Sequence, residues 1–250
     1  MELEQFFKSN PSAALAFSGG VDSAYLLYAA KKYGADVTAY YVRTPFQPQF
    51  EYDDAVKLAE ALNMPMRTIL MDVLEDPEIT ANPANRCYYC KRRIFSAILE
   101  AAHADGYRLI LDGTNASDDA SDRPGMVALR ELQVRSPLRE SGLTKDEIRR
   151  LSKEAGLFTH DKPAYACLAT RIPTGVTITR EALSRTEQAE EYLKNLGFSD
   201  FRIRLLGNAA RIQLPEGQLP LLLQFRQEIL SHLKQSYSSV LLDLEVRSHE

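Results

Sequence analysis

At 250 residues the chain can hold one large domain or two unequal ones, and 45% hydrophobic with 26% charged residues is the balance of an ordinary soluble globular protein. No apolar run approaches the length of a membrane span, the opening Met1-Glu2-Leu3-Glu4-Gln5 carries no secretion signal, and three cysteines point to a reducing cytoplasm rather than a disulfide scaffold. A formal net charge of −4 and a pI of about 5.7 exclude a bulk basic field for nucleic acid, though not a local patch.

In chain order, residues 13–17 read as a short apolar strand and 22–33 as a helix. Between them stands Ser18-Gly19-Gly20-Val21-Asp22-Ser23. A glycine turn between strand and helix exposes backbone N–H groups, and the helix start adds about half a positive charge, which together make an anion site. Two glycines let the backbone approach a phosphate closely. No lysine follows, so this is not the G-x-x-x-x-G-K-[ST] loop. A plain small-residue turn needs only a Gly-Gly pair; the full set of fixed positions directly after an apolar strand favours the anion site.

Further strands are expected at 37–42, 66–70 and 109–111, with helices at 51–62 and 87–105 and an irregular stretch from 71 to Asn85. Thr144 and Glu147 have the spacing of a capping box for a helix that ends near Ala155, with Gly156 as its stop. Strands alternating with helices predict an α/β fold, a Rossmann-like parallel sheet with both faces covered. Ligands of such sheets sit at the C-terminal strand ends, where Ser18, Arg43 and Asp112 all fall. Residues 112–125, rich in Asp, Ser, Asn and Gly, read as a surface loop.

After Pro173-Thr174-Gly175 the rhythm changes. Thr179 caps an expected helix to Leu196; strands at 201–205 and 210–214, a leucine-rich helix over 220–235 and a strand near 240–245 follow. We therefore expect a main domain over 1–174 and a smaller α+β domain, α-β-β-α-β, over 175–250. The leucine-rich helix suits an oligomer interface and burial within the small domain equally well.

Several groups carry chemistry. Cys87-Tyr88-Tyr89-Cys90 is a C-x-x-C, and Cys167 is the remaining cysteine. Two thiolates at this spacing with a distant third can grip a metal centre. Buried small hydrophobes and a redox dithiol are the other readings, the latter leaving Cys167 without a role. With only His103 and His160 in the main domain, a closed zinc site is disfavoured. Arg86, Lys91, Arg92 and Arg93 flank the C-x-x-C, where they would lower thiolate pKa values and attract an anion; a solvated basic face is the plainer reading. Arg202 and Arg204, at i and i+2 of a strand, share one face and suit a phosphate or carboxylate. Asp112-Gly113-Thr114-Asn115 ends a strand with a glycine turn placed to touch adenosine or its phosphates. Asp118, Asp119 and Asp122 are candidates for Mg²⁺ or simply a polar loop, and Glu190 or Glu191 for a base.

The S-G-G-x-D-S pattern resembles the PP-loop of the ATP pyrophosphatases, in which the α-phosphorus of ATP is attacked and pyrophosphate leaves. Ser18 to Ser23 together with 85–91, 112–115, Arg123-Pro124-Gly125, Ser136-Pro137-Leu138, Lys162-Pro163, Cys167-Leu168-Ala169-Thr170-Arg171-Ile172-Pro173, 202–204 and 210–212 resemble the LarE sulfur transferases over nearly the whole length. The last residues, 243–250, depart from that pattern.

The resemblance implies construction of the nickel-pincer nucleotide, the cofactor of lactate racemase. ATP adenylates a ring carboxylate of pyridinium-3,5-dicarboxylate mononucleotide, and sulfur replaces AMP to give a thiocarboxylate. It implies ATP contacts from Phe17, Ser18, Gly19, Gly20, Asp22, Ser23, Arg43, Gly113 and Thr114, with Mg²⁺ sharing the phosphate charge. Tyr88, Arg171, Arg202 and Arg204 are then substrate contacts, and Cys167, Asp22 and Glu190 catalytic groups. In one branch of the family a cysteine in the segment of Cys167 gives up its own sulfur and becomes dehydroalanine. In another, three cysteines hold a 4Fe-4S cluster that carries an extra sulfide. Cys87, Cys90 and Cys167 are all present, which favours the cluster. Sulfide or a sulfur-donating partner, a cytoplasmic setting and a homo-oligomer accompany the resemblance. Its rivals are a tRNA thiolase, disfavoured by the acidic pI; an ammonia-using ligase of the NAD-synthase kind, which has no use for the cysteines; and a nucleotide-binding iron–sulfur sensor.

Overall fold

The computed structural model describes residues 2–118 and 124–245. Asp119, Asp122 and Arg123, named above as candidates, lie outside the described residues, as do the divergent residues 246–250.

The elements run α1 (Leu3–Ser9), β1 (Ser12–Ala16), α2 (Val21–Lys32), β2 (Asp36–Arg43), α3 (Gln49–Ala61), β3 (Met66–Leu70), α4 (Pro77–Thr80), α5 (Arg86–Ala104), β4 (Ile110–Leu111), α6 (Pro124–Glu131), α7 (Pro137–Glu140), α8 (Lys145–Glu154), α9 (Arg180–Asn195), β5 (Arg202–Leu206), β6 (Ala209–Gln213), α10 (Leu219–Gln224), α11 (Arg226–Leu233) and β7 (Ser239–Leu242). The chain divides into two compact units, Met1–Val73 with Asn85–Lys162, and Leu74–Ala84 with Pro163–Glu250.

The first unit is α/β. Its sheet has the order β3-β2-β1-β4, every pair parallel, and Arg135 adds a parallel bridge to Leu111 beyond β4. Alternation along the strands sends side chains to both faces. Ala13, Leu15, Val37, Ala39 and Tyr41 join α1, α2, α3 and α8 in one core. Ala14, Tyr40, Val42 and Ile110 pack with Ile98 and Ala102 of α5 in the other. The expected capping box is present on α8: Glu147 N–H donates to the Thr144 side chain, and the Glu147 carboxylate accepts from Thr144 N–H at 2.8 Å. Part of the stretch read as an open loop is helical, since α6 begins at Pro124, where a proline suits a first helical turn.

The second unit carries the sheet β5-β6-β7, with β5 and β6 antiparallel and β6 and β7 parallel. Its capture of residues 74–84 has a visible cause. Asn82 O accepts from Gly175 N–H at 2.8 Å, Thr80 O accepts from Ile178 N–H at 2.8 Å, and the Asn82 amide donates to Pro173 O at 2.8 Å. The irregular stretch after β3 is thus tied to the segment around Pro173. The leucine-rich helix expected over 220–235 is two helices, broken at Phe225, whose φ of −95° and ψ of 13° leave the helical region.

Candidate active site

The loop between β1 and α2 is shaped by its small residues. Gly19 has φ +72°, and a Cβ there would lie 2.9 Å from Ala55 Cβ on α3; both facts require glycine. Gly20 caps α2 from an extended conformation. The Ser23 hydroxyl lies 3.1 Å from that of Ser18 and donates to Gly20 O at 3.2 Å, so the side chains hold the loop closed around its own backbone. Phe17 is buried, and its N–H donates to Tyr40 O at 2.9 Å, anchoring the strand end.

Asp22, in the first turn of α2, accepts from the Lys145 ammonium at 2.6 Å and from the Asn115 amide at 3.2 Å. Lys145 was not singled out from the sequence. A signal existed: a lysine at the first position of a helix opposes the macrodipole and wants another partner. A divalent cation of the Mg²⁺ type, held by one carboxylate and substrate phosphates, is compatible with the half-exposed Asp22.

The neighbouring loop begins at Asp112, whose buried carboxylate accepts from Ser136 Oγ at 2.6 Å and from both the N–H and hydroxyl of Thr114. A Cβ on Gly113 would meet Ser23 N at 2.9 Å, so this turn rests directly on the α2 N-terminus. Asp118, considered for Mg²⁺, accepts from Asn115 N–H at 2.9 Å and closes its own loop. Ser136-Pro137-Leu138 opens α7 and braces this region, with Arg139 N–H donating to Thr114 O at 3.2 Å. Arg43, at the end of β2, stacks 4.7 Å over Tyr52 and hydrogen-bonds Gln49.

The C-x-x-C opens α5. Cys87 is exposed and Cys90 half-buried, one helical turn apart. Tyr88 donates to Glu131 at 2.8 Å and meets Tyr89 edge-on at 5.5 Å. A Cβ on Gly125 would lie 2.7 Å from Lys91 Cδ, so α6 packs tightly over the first turns of α5.

Cys167 belongs to the second unit and precedes a short 3₁₀ turn, Leu168–Arg171. Arg171, 1% exposed, donates to both oxygens of buried Glu190, at 2.8 and 3.0 Å. Glu190 also accepts from Tyr165 OH at 2.6 Å and Ile203 N–H at 2.9 Å. Burial, with Glu190 alongside, pushes the Tyr165 phenol well above its ordinary range. Arg202 and Arg204 donate to Ala164 O at 2.6 Å and Thr170 O at 2.7 Å. The three arginines expected to face substrate are here engaged with Glu190 and the backbone around Cys167.

All three cysteines are unbridged, so as a donor set they suit an iron–sulfur centre. Among the described residues no three His, Cys, Asp or Glu side chains gather as a metal-binding group. Cys87 and Cys90 lie in the first unit and Cys167 in the second.

A parallel sheet of this order, with a Ser-Gly-Gly-x-Asp-Ser turn from β1 into α2, defines an ATP pyrophosphatase domain of the PP-loop class. No family model matches the chain. It is 34% identical over 233 residues to the pyridinium-3,5-bisthiocarboxylic acid mononucleotide synthase of Lactiplantibacillus plantarum, covering 92% of this chain and 84% of that protein. It belongs to that family, LarE, and is a sulfurtransferase enzyme. An uncharacterized protein of Synechocystis, slr1717, is 38% identical over 97% of this chain and 92% of its own. The tRNA-specific 2-thiouridylase MnmA of Pseudothermotoga lettingae is 27% identical over 59% of this chain and 53% of its own, which supports the PP-loop class.

Proposed function

We propose that the enzyme adenylates a carboxylate of pyridinium-3,5-dicarboxylate mononucleotide with ATP, releases pyrophosphate and installs sulfur as a thiocarboxylate. The observation that carries this reading is the loop: Gly19 in a left-handed conformation, pressed on Ala55, turns the chain into the N-terminus of α2. Such a start offers unpaired N–H donors to a phosphate chain. A carboxylate is a poor electrophile, and an acyl-adenylate provides the leaving group that sulfur displaces.

In this reading Phe17, Ser18, Gly19, Gly20 and Ser23 shape the phosphate cradle, Asp22 sits at its mouth, and Arg43, Gly113 and Thr114 border the nucleotide. When bound, Mg²⁺ supplies charge compensation to the departing pyrophosphate. Tyr88 would stack on the pyridinium ring, a cation over an aromatic face. Arg171, Arg202 and Arg204 are the expected contacts of the substrate phosphate or second carboxylate, with Glu190 as their counter-charge. The second unit then serves substrate handling and oligomerisation.

The sulfur is assigned to the cysteines. A 4Fe-4S cluster on Cys87, Cys90 and Cys167, which would supply an exchangeable sulfide when bound, is favoured by the presence of all three cysteines; direct donation from Cys167 is the alternative. Sulfide or a sulfur-donating protein completes the cycle, and the product serves lactate racemase maturation. A cytoplasmic homo-oligomer fits this chemistry; no described helix is long and apolar enough to cross a membrane.

The test supplies purified protein with ATP, Mg²⁺ and the pyridinium dicarboxylate mononucleotide. Pyrophosphate release that depends on the dicarboxylate, with a thiocarboxylate product by mass, is the expected result. Pyrophosphate release that instead requires tRNA would replace this reading with thiolation of a nucleic-acid base. Anaerobic purification decides the sulfur route: about four irons per chain supports the cluster, and loss of H₂S from Cys167 after a single turnover supports direct donation.

A further inference from the structure

Three guanidinium groups of the second unit spend donors on one short run of backbone. Arg202 Nη2 donates to Ala164 O at 2.6 Å, Arg171 Nη1 to Ala166 O at 2.8 Å, and Arg204 Nη1 to Thr170 O at 2.7 Å. Cys167 stands in the middle of this run, its own carbonyl accepting from Thr170 N–H at 3.0 Å. One side chain links these groups. The Tyr165 ring lies 4.6 Å from the Arg171 guanidinium and 5.2 Å from that of Arg202. Its hydroxyl donates to Glu190 at 2.6 Å, the same carboxylate that grips Arg171 through two hydrogen bonds.

Two like charges near one another repel, and a ring presenting its electron-rich face eases their approach. The hydroxyl adds a charge-assisted bond to the carboxylate that neutralises Arg171. From this geometry we infer that Tyr165 is a positioning residue for sulfur transfer: it keys Arg171 and Arg202 in place, and they fix the backbone that sets where the Cys167 sulfur stands. The inference rests on the reading that Cys167 takes part in sulfur transfer. It is separate from any contact of Tyr165 with substrate, and the mutual grip of 164–171 with Glu190 lies wholly within one unit.

The test uses full-length Tyr165→Leu and Tyr165→Phe. Leucine removes both ring and hydroxyl; phenylalanine keeps the ring between the guanidiniums. For Tyr165→Leu we expect thiocarboxylate formed per pyrophosphate released to fall about tenfold at unchanged KM for ATP, with amide exchange of residues 166–170 accelerated about tenfold. Tyr165→Phe, which loses only the hydroxyl bond to Glu190, should show both changes at about two- to threefold. A folded leucine variant with unchanged product ratio and unchanged exchange overturns the inference, as does one in which pyrophosphate release and product formation fall in step. Should the leucine variant not fold, unchanged exchange over 166–170 in Tyr165→Phe overturns it alone. Accelerated exchange in a protein whose wild type makes no thiocarboxylate separates the outcomes: the clasp exists, and the functional reading is what fails.

Discussion

Lys145 and Asp22 meet through a 2.6 Å ion pair that joins the first residue of α8 to the first turn of α2. Their side chains are 32% and 22% exposed, so the pair contributes at most about 1 kcal/mol to stability. Its value lies in where it places charge. The ammonium stands beside the turn proposed to cradle phosphate, where it would offset charge that develops there. Lys145→Ala should leave the melting temperature nearly unchanged while ATP-dependent pyrophosphate release falls about tenfold or more. Lys145→Arg should recover part of the rate. Steady-state pyrophosphate assays on both variants check this.

Gly19 faces two separate obstacles to any side chain, and they can be told apart. Gly19→Ala meets the strain of φ +72° and a 2.9 Å clash with Ala55; the backbone part alone costs about 1–2 kcal/mol. Pairing it with Ala55→Gly removes the closest contact but leaves the backbone Cα and N of residue 55 at 3.2 and 3.3 Å, and leaves the strain. The double variant should therefore recover stability only in part, as read by urea denaturation. Complete recovery would place the whole cost in the contact.

Glu190→Gln tests the buried ion pair. Arg171 and Glu190 have side-chain exposures of 1% and 6%, and removing one charge strands the other out of water, at a cost of about 3–5 kcal/mol. A folded Glu190→Gln protein that has lost less than about 1 kcal/mol would contradict this account.

The pH dependence of stability has a traceable part. Hydrogen bonds from Tyr40 and Arg67 hold the Asp105 carboxyl below its ordinary value of 3.8. Hydrogen bonding to Arg135 likewise lowers Glu140 from 4.5. A depressed folded-state value means stability that is present above the unfolded pKa and is lost as pH falls through the folded one. Urea midpoints should thus drop as pH falls below about 4, and Asp105→Asn should flatten that slope. A variant with the same acid slope as wild type would show that Asp105 contributes nothing to it.

The sequence patterns that could be read were those whose cause is local. The Ser18–Ser23 turn, the Thr144 capping box and the helical stop signals act over a few residues, and each stands where its spacing put it. What escaped reading was decided by distant partners. Nothing near Phe225 announces a break in a leucine-rich run; the chain simply leaves the helical region there. Residues 74–84 read as irregular, yet Pro77–Thr80 form α4 behind an Asp76 cap; the bonds that tie Asn82 into the second unit go to residues about ninety positions away. The pairing of Arg202 and Arg204 on one strand was legible, but their hydrogen bonds to Ala164 and Thr170 carbonyls were not. Lys145 lay within a motif already recognised and was hidden by it.

The second unit is not a contiguous piece of chain, because Leu74–Ala84 is supplied from within the first. Its gene segment therefore cannot be shuffled as a cassette. A fragment starting at Pro163 would lack Asn82, leaving the Ile172 and Pro173 carbonyls without the amide that now serves them. During synthesis Asn82 must also wait for about ninety more residues before its partners exist. Folding of the unit that holds Cys167 is thereby deferred until the nucleotide-binding unit has been fully made.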